Sequence, residues 1–227
     1  MTETGVSAIL LGAGQGSRLG GGGKAFIKVA GQSYLQHVVQ KLAPLVDEVI
    51  VTLSAEDMLH LDPVHMSLPC QFVAGGDTRQ GSFAKAFEQC RKEKILLHEV
   101  ARPLVPVSLL GQIIEESNKN SVVTAALPME VRDSIALSSG PVVGAKVPRD
   151  QLIQLQTPQM FDRAVLEYSL QYAADNEIEE ASLVFLCQQA GYAVSWVKGS
   201  SKNFKVTYEE DRLKVERILA DAKEGAS

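Results

Sequence analysis

The sequence contains little cysteine and no apolar run longer than a strand. Its three cysteines, Cys70, Cys90 and Cys187, are odd in number and lack the spacing of metal ligands. They are typical of small buried side chains in a reducing compartment. The short apolar runs exclude a membrane-spanning helix, and the N-terminus shows no signal-peptide pattern. These features predict a cytoplasmic protein.

The chain also lacks an excess of basic residues. Its formal net charge is -5, with 22 Lys and Arg against 27 Asp and Glu. This balance gives no general attraction to nucleic acid or to a membrane surface. A phosphate-bearing partner must therefore be bound by a local cluster of cations. Length and composition fit one globular domain over residues 1–227, since 45% of the residues are apolar and 22% are charged.

Short apolar runs alternate with helical periodicity along most of the chain. This alternation predicts βαβ units and an α/β fold built on a mainly parallel sheet. Strands are predicted at Val6–Leu11, Val49–Leu53, Cys70–Val73, Ile95–His98, Val122–Leu127 and Ala193–Val197. Helices are predicted at Tyr34–Leu45, Gln80–Arg91, 162–173 and 179–190, with a last one after a capping box at Thr207 and Glu210.

The segment 129–149 breaks this alternation. Two β-rich runs, Val131–Ile135 and Val142–Val147, flank the turn-forming residues 138–141. The pattern predicts a β-hairpin that projects from the sheet. Because a two-stranded hairpin alone is marginally stable in water, we expect it to pack on a second subunit as a dimerisation arm.

The most informative segment is the glycine-rich loop between Gly12 and Lys24, which follows the first predicted strand. Its backbone N–H groups can converge on an anion. Ser17 stands where the dinucleotide-binding fingerprint requires glycine, and Lys24 lacks the Ser or Thr that follows it in the P-loop pattern. What remains is a flexible loop with two cations, Arg18 and Lys24.

This loop suits a triphosphate. Backbone donors can hold the β- and γ-phosphates, while Arg18 and Lys24 neutralise charge on the α-phosphate and on the departing pyrophosphate. The alternative is a glycine-rich turn whose two cations are solvated. Further segments favour the phosphate-binding interpretation.

Two segments follow the third and fourth predicted strands, namely Gly75–Ser82 and His98–Pro103. The carboxyl ends of parallel strands share one rim of the sheet, where such folds bind ligands. We therefore expect both segments to lie near the glycine loop. For single residues a structural role is the alternative: Asp77 or Thr78 as a helix N-cap, and His98 as a hydrogen-bonded residue at a strand end.

Seven blocks resemble, in family order, the 2-C-methyl-D-erythritol 4-phosphate cytidylyltransferases, and the resemblance covers nearly the whole chain. The blocks are Gly12–Arg18, Lys24, Gly75–Ser82, His98–Pro103, Val131–Ser134, Thr157–Gln159 and Asn203–Thr207. The resemblance implies a Rossmann-like nucleotidyltransferase fold of the glycosyltransferase-A-like type, with flanking helices and the projecting hairpin. It also implies a homodimer in which the 129–149 arms clasp.

The resemblance further implies a reaction and its residues. CMP passes from CTP to 2-C-methyl-D-erythritol 4-phosphate, a polyol phosphate, with Mg²⁺ as cofactor and pyrophosphate as the second product. Arg18, Lys24 and Lys205 are the implied catalytic cations, and Glu99 is the implied contact to the metal. The implied CTP ligands are Gly12, Ala13, Gly14, Gly16, Gly76, Asp77 and Ser82, and the implied acceptor ligands are Arg102, Ser134, Arg149, Thr157 and Lys205.

Three positions depart from the family pattern. Glu99 stands where the family usually has Asp, Ser134 where it has Thr, and Ile178 where it commonly has a hydroxyl residue that meets the acceptor. Two alternatives therefore stay open: ribitol 5-phosphate as the acceptor, and a CTP-binding homologue without catalysis. In the implied reaction the nucleophile is a phosphate oxygen that needs no general base, so catalysis reduces to positioning and charge stabilisation.

Overall fold

A computed structural model of the chain describes residues 3–14, 23–59 and 66–224, without the side chains of Lys24 and residues 222–224. Its strands are β1 (Glu3–Leu11), β2 (Lys28–Val29), β3 (Gln32–Ser33), β4 (Glu48–Leu53), β5 (Cys70–Ala74), β6 (Lys92–Glu99), β7 (Val122–Pro128), β8 (Ile135–Ser139), β9 (Val142–Val147), β10 (Ile153–Asp162) and β11 (Ser195–Lys198). Its α-helices are α1 (Tyr34–Leu42), α2 (Ala55–Leu59), α3 (Arg79–Phe87), α4 (Val107–Glu116), α5 (Arg163–Asp175), α6 (Leu183–Gln189) and α7 (Glu209–Glu224). Short 3₁₀ helices lie at Lys24–Phe26 and Arg149–Gln151.

A seven-stranded sheet forms the centre of the fold, in the order β11–β7–β10–β6–β1–β4–β5. Its strands run parallel except β10, which lies antiparallel between β6 and β7. This arrangement confirms the expected α/β class with a mainly parallel sheet. It also brings the carboxyl ends of β1, β4, β5 and β6 to one rim.

Helices cover both faces of the sheet. Along β1, Leu10 belongs to a core that includes α1, α4 and α7, whereas its neighbour Ile9 belongs to a second core with α3, α5 and α6. Successive side chains of a strand point to opposite faces, so β1, β4 and β6 are buried on both sides over the apolar runs Ala8–Leu10, Val49–Val51 and Ile95–Leu97. Across the described ranges, no helix is long and apolar enough to cross a bilayer.

The predicted strands and helices all overlap elements of the structure, but α2, α4, β10 and the short pair β2 and β3 were not predicted. β10 contains three glutamines and Pro158, a composition that is atypical of a central strand. A shift of register between Gln156 and Gln159, in the ladder with β7, accommodates the proline. Local sequence therefore concealed a strand that lies in the middle of the sheet.

The predicted capping box at the last helix is wrong. Thr207 does not cap α7 through Glu210; instead Asp211 Oδ2 accepts hydrogen bonds from the backbone N–H groups of Thr207 at 2.8 Å and Tyr208 at 2.9 Å. The Thr207 hydroxyl donates to the carbonyl of Lys205 at 3.3 Å. One aspartate therefore binds two backbone donors, which replaces the reciprocal Thr–Glu arrangement.

The hairpin arm is present as the antiparallel pair β8 and β9, a sheet separate from the central one. Its first strand begins at Ile135, later than the predicted Val131, and Gly140 turns the chain with a φ of 59°. Three large apolar side chains of β8 and β9 are exposed: Leu137 at 62%, Val142 at 63% and Val143 at 80%. Within the described part of one chain, little covers these side chains.

Candidate active site

An open cleft of about 1000 Å³ lies at the carboxyl ends of β1, β4, β5 and β6. Its lining includes Gly12–Gly14 after β1, Ser54 after β4, Gly75–Arg79 after β5, Glu99 at the end of β6, and Lys205. The structure thus brings together, at the predicted rim, residues that are up to two hundred positions apart in the chain. This is the rim at which open α/β sheets bind their ligands.

The start of the glycine loop is held closely against its neighbours. The backbone N–H of Gly12 donates to the Thr52 carbonyl at 2.9 Å, so the chain leaves β1 in register with β4. A Cβ added to Gly75 would lie only 2.6 Å from the Cβ of Ala13. Glycine at position 75 therefore lets the loops after β1 and β5 approach each other across the cleft.

The loop after β5 is shaped by Ser82 and Thr78. The Ser82 hydroxyl accepts from the Gly76 N–H at 3.0 Å and donates to the Thr78 carbonyl at 2.9 Å, and the residue is 6% exposed. Thr78 is the N-cap of α3 and accepts from the Gly81 N–H at 3.0 Å. Asp77 is not the cap and lines the cleft, which keeps it available for the expected nucleotide contact.

Glu99 lies at the centre of a cluster of cations. Its Oε1 contacts Lys205 Nζ at 2.6 Å and Arg79 Nη2 at 3.3 Å, and its Oε2 accepts from Arg102 Nε at 2.9 Å. The residue is 7% exposed. Burial acts to raise the pKa of Glu99, but the three cations outweigh it and hold that pKa well below its ordinary value. The side chain is therefore a carboxylate at any ordinary pH.

Arg102 and Thr157 lie behind Glu99, not on the wall of the cleft. Arg102 Nη1 donates to the Asn203 carbonyl at 2.8 Å, and Thr157 Oγ1 accepts from the Glu99 N–H at 3.2 Å. Both residues are buried, at 9% and 3% exposure. In this arrangement they support the end of β6; direct contact of either residue with an acceptor stays a prediction.

His98 is a buried structural residue, as the alternative interpretation held. Its Nε2 lies 3.2 Å from the Arg102 carbonyl, and its Nδ1 has no hydrogen-bond partner among the described residues. Burial lowers the pKa of His98 to about 4, so the ring is neutral at physiological pH. A side chain with 0% exposure cannot reach a substrate in the cleft.

The remaining predicted residues lie on the arm or outside the described residues. Ser134 and Arg149 are exposed at the arm, where Arg149 donates to the Arg132 carbonyl, and neither lines the cleft of its own chain. Gly16 and Arg18 lie outside the described residues, as does the side chain of Lys24. The backbone of Lys24 begins the 3₁₀ helix that follows the loop.

Arg79 is a cleft residue that sequence reasoning missed. It lines the cleft, pairs with Glu99, and donates through Nη1 to the Ala181 carbonyl at 2.9 Å. The neighbouring Gln80 accepts from the Glu180 N–H at 2.8 Å. Arg79 belongs to the Gly75–Ser82 block, but only the tertiary contact with Glu99 identifies its part in the site.

The family departure at position 178 is explained by packing. Ile178 packs against the core that contains α5 and α6, and its backbone carbonyl accepts from Gln80 Nε2 at 3.4 Å. It is not among the residues that line the cleft. The segment is thus held to α3 through the backbone, while its side chain supplies no hydroxyl.

The described residues do not fit a resident metal ion. No group of three or more His, Cys, Asp or Glu side chains with the geometry of a metal site occurs among them. Glu99, the expected metal contact, has both oxygens paired with cations. A divalent ion at Glu99 would have to displace these partners and would face their repulsion.

A mainly parallel α/β sheet with a glycine-rich segment after β1, and with cations at the same cleft, is the arrangement expected of a nucleotidyltransferase. A model of the 2-C-methyl-D-erythritol 4-phosphate cytidylyltransferase family matches residues 6–221. The chain therefore belongs to this family of enzymes.

Curated relatives and solved structures agree with this assignment. The 2-C-methyl-D-erythritol 4-phosphate cytidylyltransferase of Deinococcus radiodurans is 35% identical over 212 residues, covering 93% of this chain and 88% of the relative. That of Thermus thermophilus is 34% identical and covers 94% of this chain and 96% of the relative. A crystal structure of the Thermus thermophilus enzyme matches with a TM-score of 0.78 at 30% identity, over 96% of this chain and 98% of that one.

Proposed function

We propose that this chain transfers CMP from CTP to 2-C-methyl-D-erythritol 4-phosphate, giving 4-diphosphocytidyl-2-C-methyl-D-erythritol and pyrophosphate. The observation that carries the proposal is the cleft: the backbone of Gly12–Gly14 and the ammonium group of Lys205 line one space. A triphosphate requires converging backbone donors, and an acceptor phosphate requires a cation. Membership of the family supports the choice of both substrates.

In the proposed reaction, an oxygen of the acceptor phosphate attacks the α-phosphorus of CTP. The bond from that phosphorus to the oxygen that bridges it to the β-phosphate breaks, and pyrophosphate leaves with the electron pair. A phosphate monoester is already ionised at neutral pH, so no general base is needed, and the buried His98 is not required as one. Arg18, Lys24 and Lys205 stabilise the charge that develops.

We further propose that Mg²⁺ takes part as a partner of the triphosphate, not as an ion resident on the protein. Magnesium in such sites is commonly held by substrate phosphates with one or two carboxylates. Glu99 is paired with three cations and does not offer a ligand. The contribution of the protein itself to charge stabilisation therefore comes from its cationic side chains.

The acceptor is tested by measuring pyrophosphate release. The pure protein is incubated with CTP, Mg²⁺ and either 2-C-methyl-D-erythritol 4-phosphate or ribitol 5-phosphate. We expect turnover with the first acceptor and at most a trace with the second. Faster turnover with ribitol 5-phosphate would replace the acceptor, and binding of CTP without turnover on either would support a homologue that has lost catalysis.

The glycine loop is tested by substitution of its two cations. Arg18→Ala and Lys24→Ala are each expected to lower kcat by about a hundredfold or more, because each removes a preorganised charge contact. Circular dichroism and thermal melting should be unchanged. Near-normal turnover in both variants would contradict the proposed mechanism.

We also propose a homodimer formed through the 129–149 arm. The exposed apolar side chains of Leu137, Val142 and Val143 lie on a hairpin that is separate from the central sheet. Such a hairpin needs an apolar partner surface, and a second copy supplies an isologous one. Arg149 and Ser134, which do not line the cleft of their own chain, would then serve the cleft of the partner.

Subunit mixing tests this shared site. The inactive variants Arg149→Ala and Lys24→Ala are mixed under conditions that allow exchange. In a mixed dimer, one of the two sites combines wild-type Arg149 with wild-type Lys24, so activity should partly return. Absence of recovery despite exchange, shown by mass-tagged subunits, would mean that each site is built from one chain.

The reducing cytoplasm is the proposed location. The three cysteines are unbonded, and Cys90 and Cys187 are buried. Burial raises the pKa of the Cys90 thiol to about 12, which leaves it protonated and unreactive. Unbonded cysteines are typical of a protein in a reducing compartment, where disulfides do not form.

A further inference from the structure

Three separate parts of the cleft meet at one carboxylate. Glu99 ends β6, Arg79 begins α3, and Lys205 lies in the segment before α7. The ion pairs at 3.3 Å and 2.6 Å join all three through the same oxygen, Oε1. We propose that Glu99 is a positioning residue, which holds Lys205 and Arg79 for the acceptor phosphate, and that it is not a ligand of Mg²⁺. This inference rests on the proposed function, since it assigns the two cations to the acceptor.

The charges of the cluster favour an anion. Three cations surround one carboxylate, so positive charge exceeds negative charge. Arg102 contributes little to the surface, because its side chain is 11% exposed, whereas those of Arg79 and Lys205 are 32% and 45% exposed. The excess positive charge therefore faces the cleft through Arg79 and Lys205. A local excess of positive charge at the wall of a cleft attracts an anionic group.

The two cleft-facing cations are oriented by what they bind. The Arg79 guanidinium donates to Glu99 and to the Ala181 carbonyl, two acceptors that fix its plane. The Lys205 ammonium, at the end of a flexible four-carbon stem, is held at 2.6 Å by Glu99. Loss of the carboxylate would release Lys205 to other rotamers and leave Arg79 attached at one side.

The test compares Glu99→Gln, which removes the charge and keeps the shape, with Glu99→Asp, which keeps the charge. Glu48→Gln is the matched control, since Glu48 also binds several donors, Ser7 Oγ at 2.6 Å and the Arg91 N–H at 2.7 Å, but lies at the opposite end of the sheet. Rates of pyrophosphate release are measured against acceptor, CTP and Mg²⁺ in turn. Binding of Mn²⁺ to the free protein is measured by electron paramagnetic resonance.

Glu99→Gln is expected to raise the KM for the acceptor by about tenfold or more, as for a lost charge-assisted contact. The KM for CTP and the Mg²⁺ concentration at half-maximal rate should stay within about threefold of wild type. Glu99→Asp should retain most activity, and Glu48→Gln should leave all three constants unchanged. Mn²⁺ binding by the free protein should be equal in wild type and Glu99→Gln.

Two results would overturn the inference: a Mn²⁺ site that Glu99→Gln removes, or a raised Mg²⁺ requirement with an unchanged KM for the acceptor. If Glu99→Gln fails to fold, Arg79→Gln is the second variant and should show the same selective rise in acceptor KM. The inference can fail independently of the proposed function. If the wild type releases no pyrophosphate with any acceptor, the inference can still be tested by calorimetry, which measures the binding of inorganic phosphate to wild type and to Glu99→Gln. Equal phosphate affinities of the two proteins would overturn the inference.

Discussion

At Gly23, one residue before Lys24, the chain leaves no room for a side chain. An added Cβ would lie 1.9 Å from Asp57 Oδ2 and 2.1 Å from Oδ1. Asp57 is 9% exposed and is held by Ser54, whose hydroxyl donates to Oδ2 at 2.7 Å. The end of the glycine loop therefore lies directly against a carboxylate that is fixed in place.

Gly23→Ala is expected to lower kcat by about tenfold or more, because the clash displaces the neighbouring Lys24. The double variant Gly23→Ala/Asp57→Ala removes the obstacle and should recover much of that loss. Gly111→Ala is the control, since an added Cβ there meets nothing within 4 Å and alanine favours the helix α4. A double variant no better than Gly23→Ala would mean that the loop depends on glycine for another reason.

His98 makes stability depend on pH. Its pKa is lowered from 6.5 to about 4 in the folded protein, so between these values the unfolded chain binds more protons than the folded one. The stability that the buried, neutral His98 ring contributes is therefore complete above about pH 6.5 and is lost as the pH falls toward 4. Between pH 7 and pH 5 this single group accounts for about 2 kcal/mol.

Urea unfolding at pH 7 and pH 5 measures this contribution. Between pH 7 and pH 5, the free energy of unfolding should fall by about 2 kcal/mol more in wild type than in His98→Gln. The variant should be less stable than wild type at both pH values. Parallel losses in wild type and His98→Gln would exclude His98 as the titrating group.

Among the elements, α3 joins the loop after β5 to the cluster around Glu99. Thr78 caps it, and Arg79 begins it. Thr78→Ala is expected to cost about 1 kcal/mol in the free energy of unfolding, the usual loss for a threonine cap. The KM for CTP should rise severalfold, because the hydrogen bond from the Gly81 N–H to the Thr78 hydroxyl, which holds the end of the loop, is lost. Thr78→Ser should behave as wild type in both measurements, and equal effects of Ala and Ser would contradict the cap.

Elements with a local signal could be predicted, and elements held by distant partners could not. The runs Ala8–Leu10 of β1 and Val49–Val51 of β4 are apolar because both faces of the sheet are covered there. In β10 the polar residues are satisfied at long range: Gln156 Nε2 donates to the Ser200 carbonyl at 3.1 Å, and Gln159 Nε2 to Thr124 Oγ1 at 3.2 Å. No local sequence pattern around Gln156 or Gln159 predicts these distant hydrogen-bond partners.

The same distinction applies to the site. That Gly12–Gly14 and the Gly75–Ser82 segment lie at one rim could be predicted, because each directly follows a strand. The cluster around Glu99 was not predicted as a cluster, since its cations lie 20 and 106 positions away at Arg79 and Lys205. Residue types were visible in the sequence, but the geometry that makes Glu99 a partner of cations was not.

At the scale of the whole molecule, association through the arm has a direct test. Val143, 80% exposed on β9, should tolerate Asp in a monomer but not in an apolar interface. We expect Val143→Asp to raise the dimer dissociation constant by about tenfold or more in sedimentation equilibrium. Phe185→Asp, at another exposed apolar residue on α6, is the control and should leave association unchanged. A dimer unaffected by Val143→Asp would locate the interface elsewhere.

The position of β10 has a consequence for synthesis of the chain. β5, β4, β1 and β6 are complete once residue 99 has been made, but the free edge of β6 pairs only with β10. Until β10 leaves the ribosome, the apolar run Ile95–Leu97 on this edge has no partner strand, which is a template for aggregation. Chains ended at residue 128 should therefore accumulate in the insoluble fraction. Chains ended at residue 175, which include β10, should be recovered from the supernatant in larger share, because β10 then pairs with the edge of β6. The nascent chain is therefore expected to be most prone to aggregation between the synthesis of β6 and that of β10.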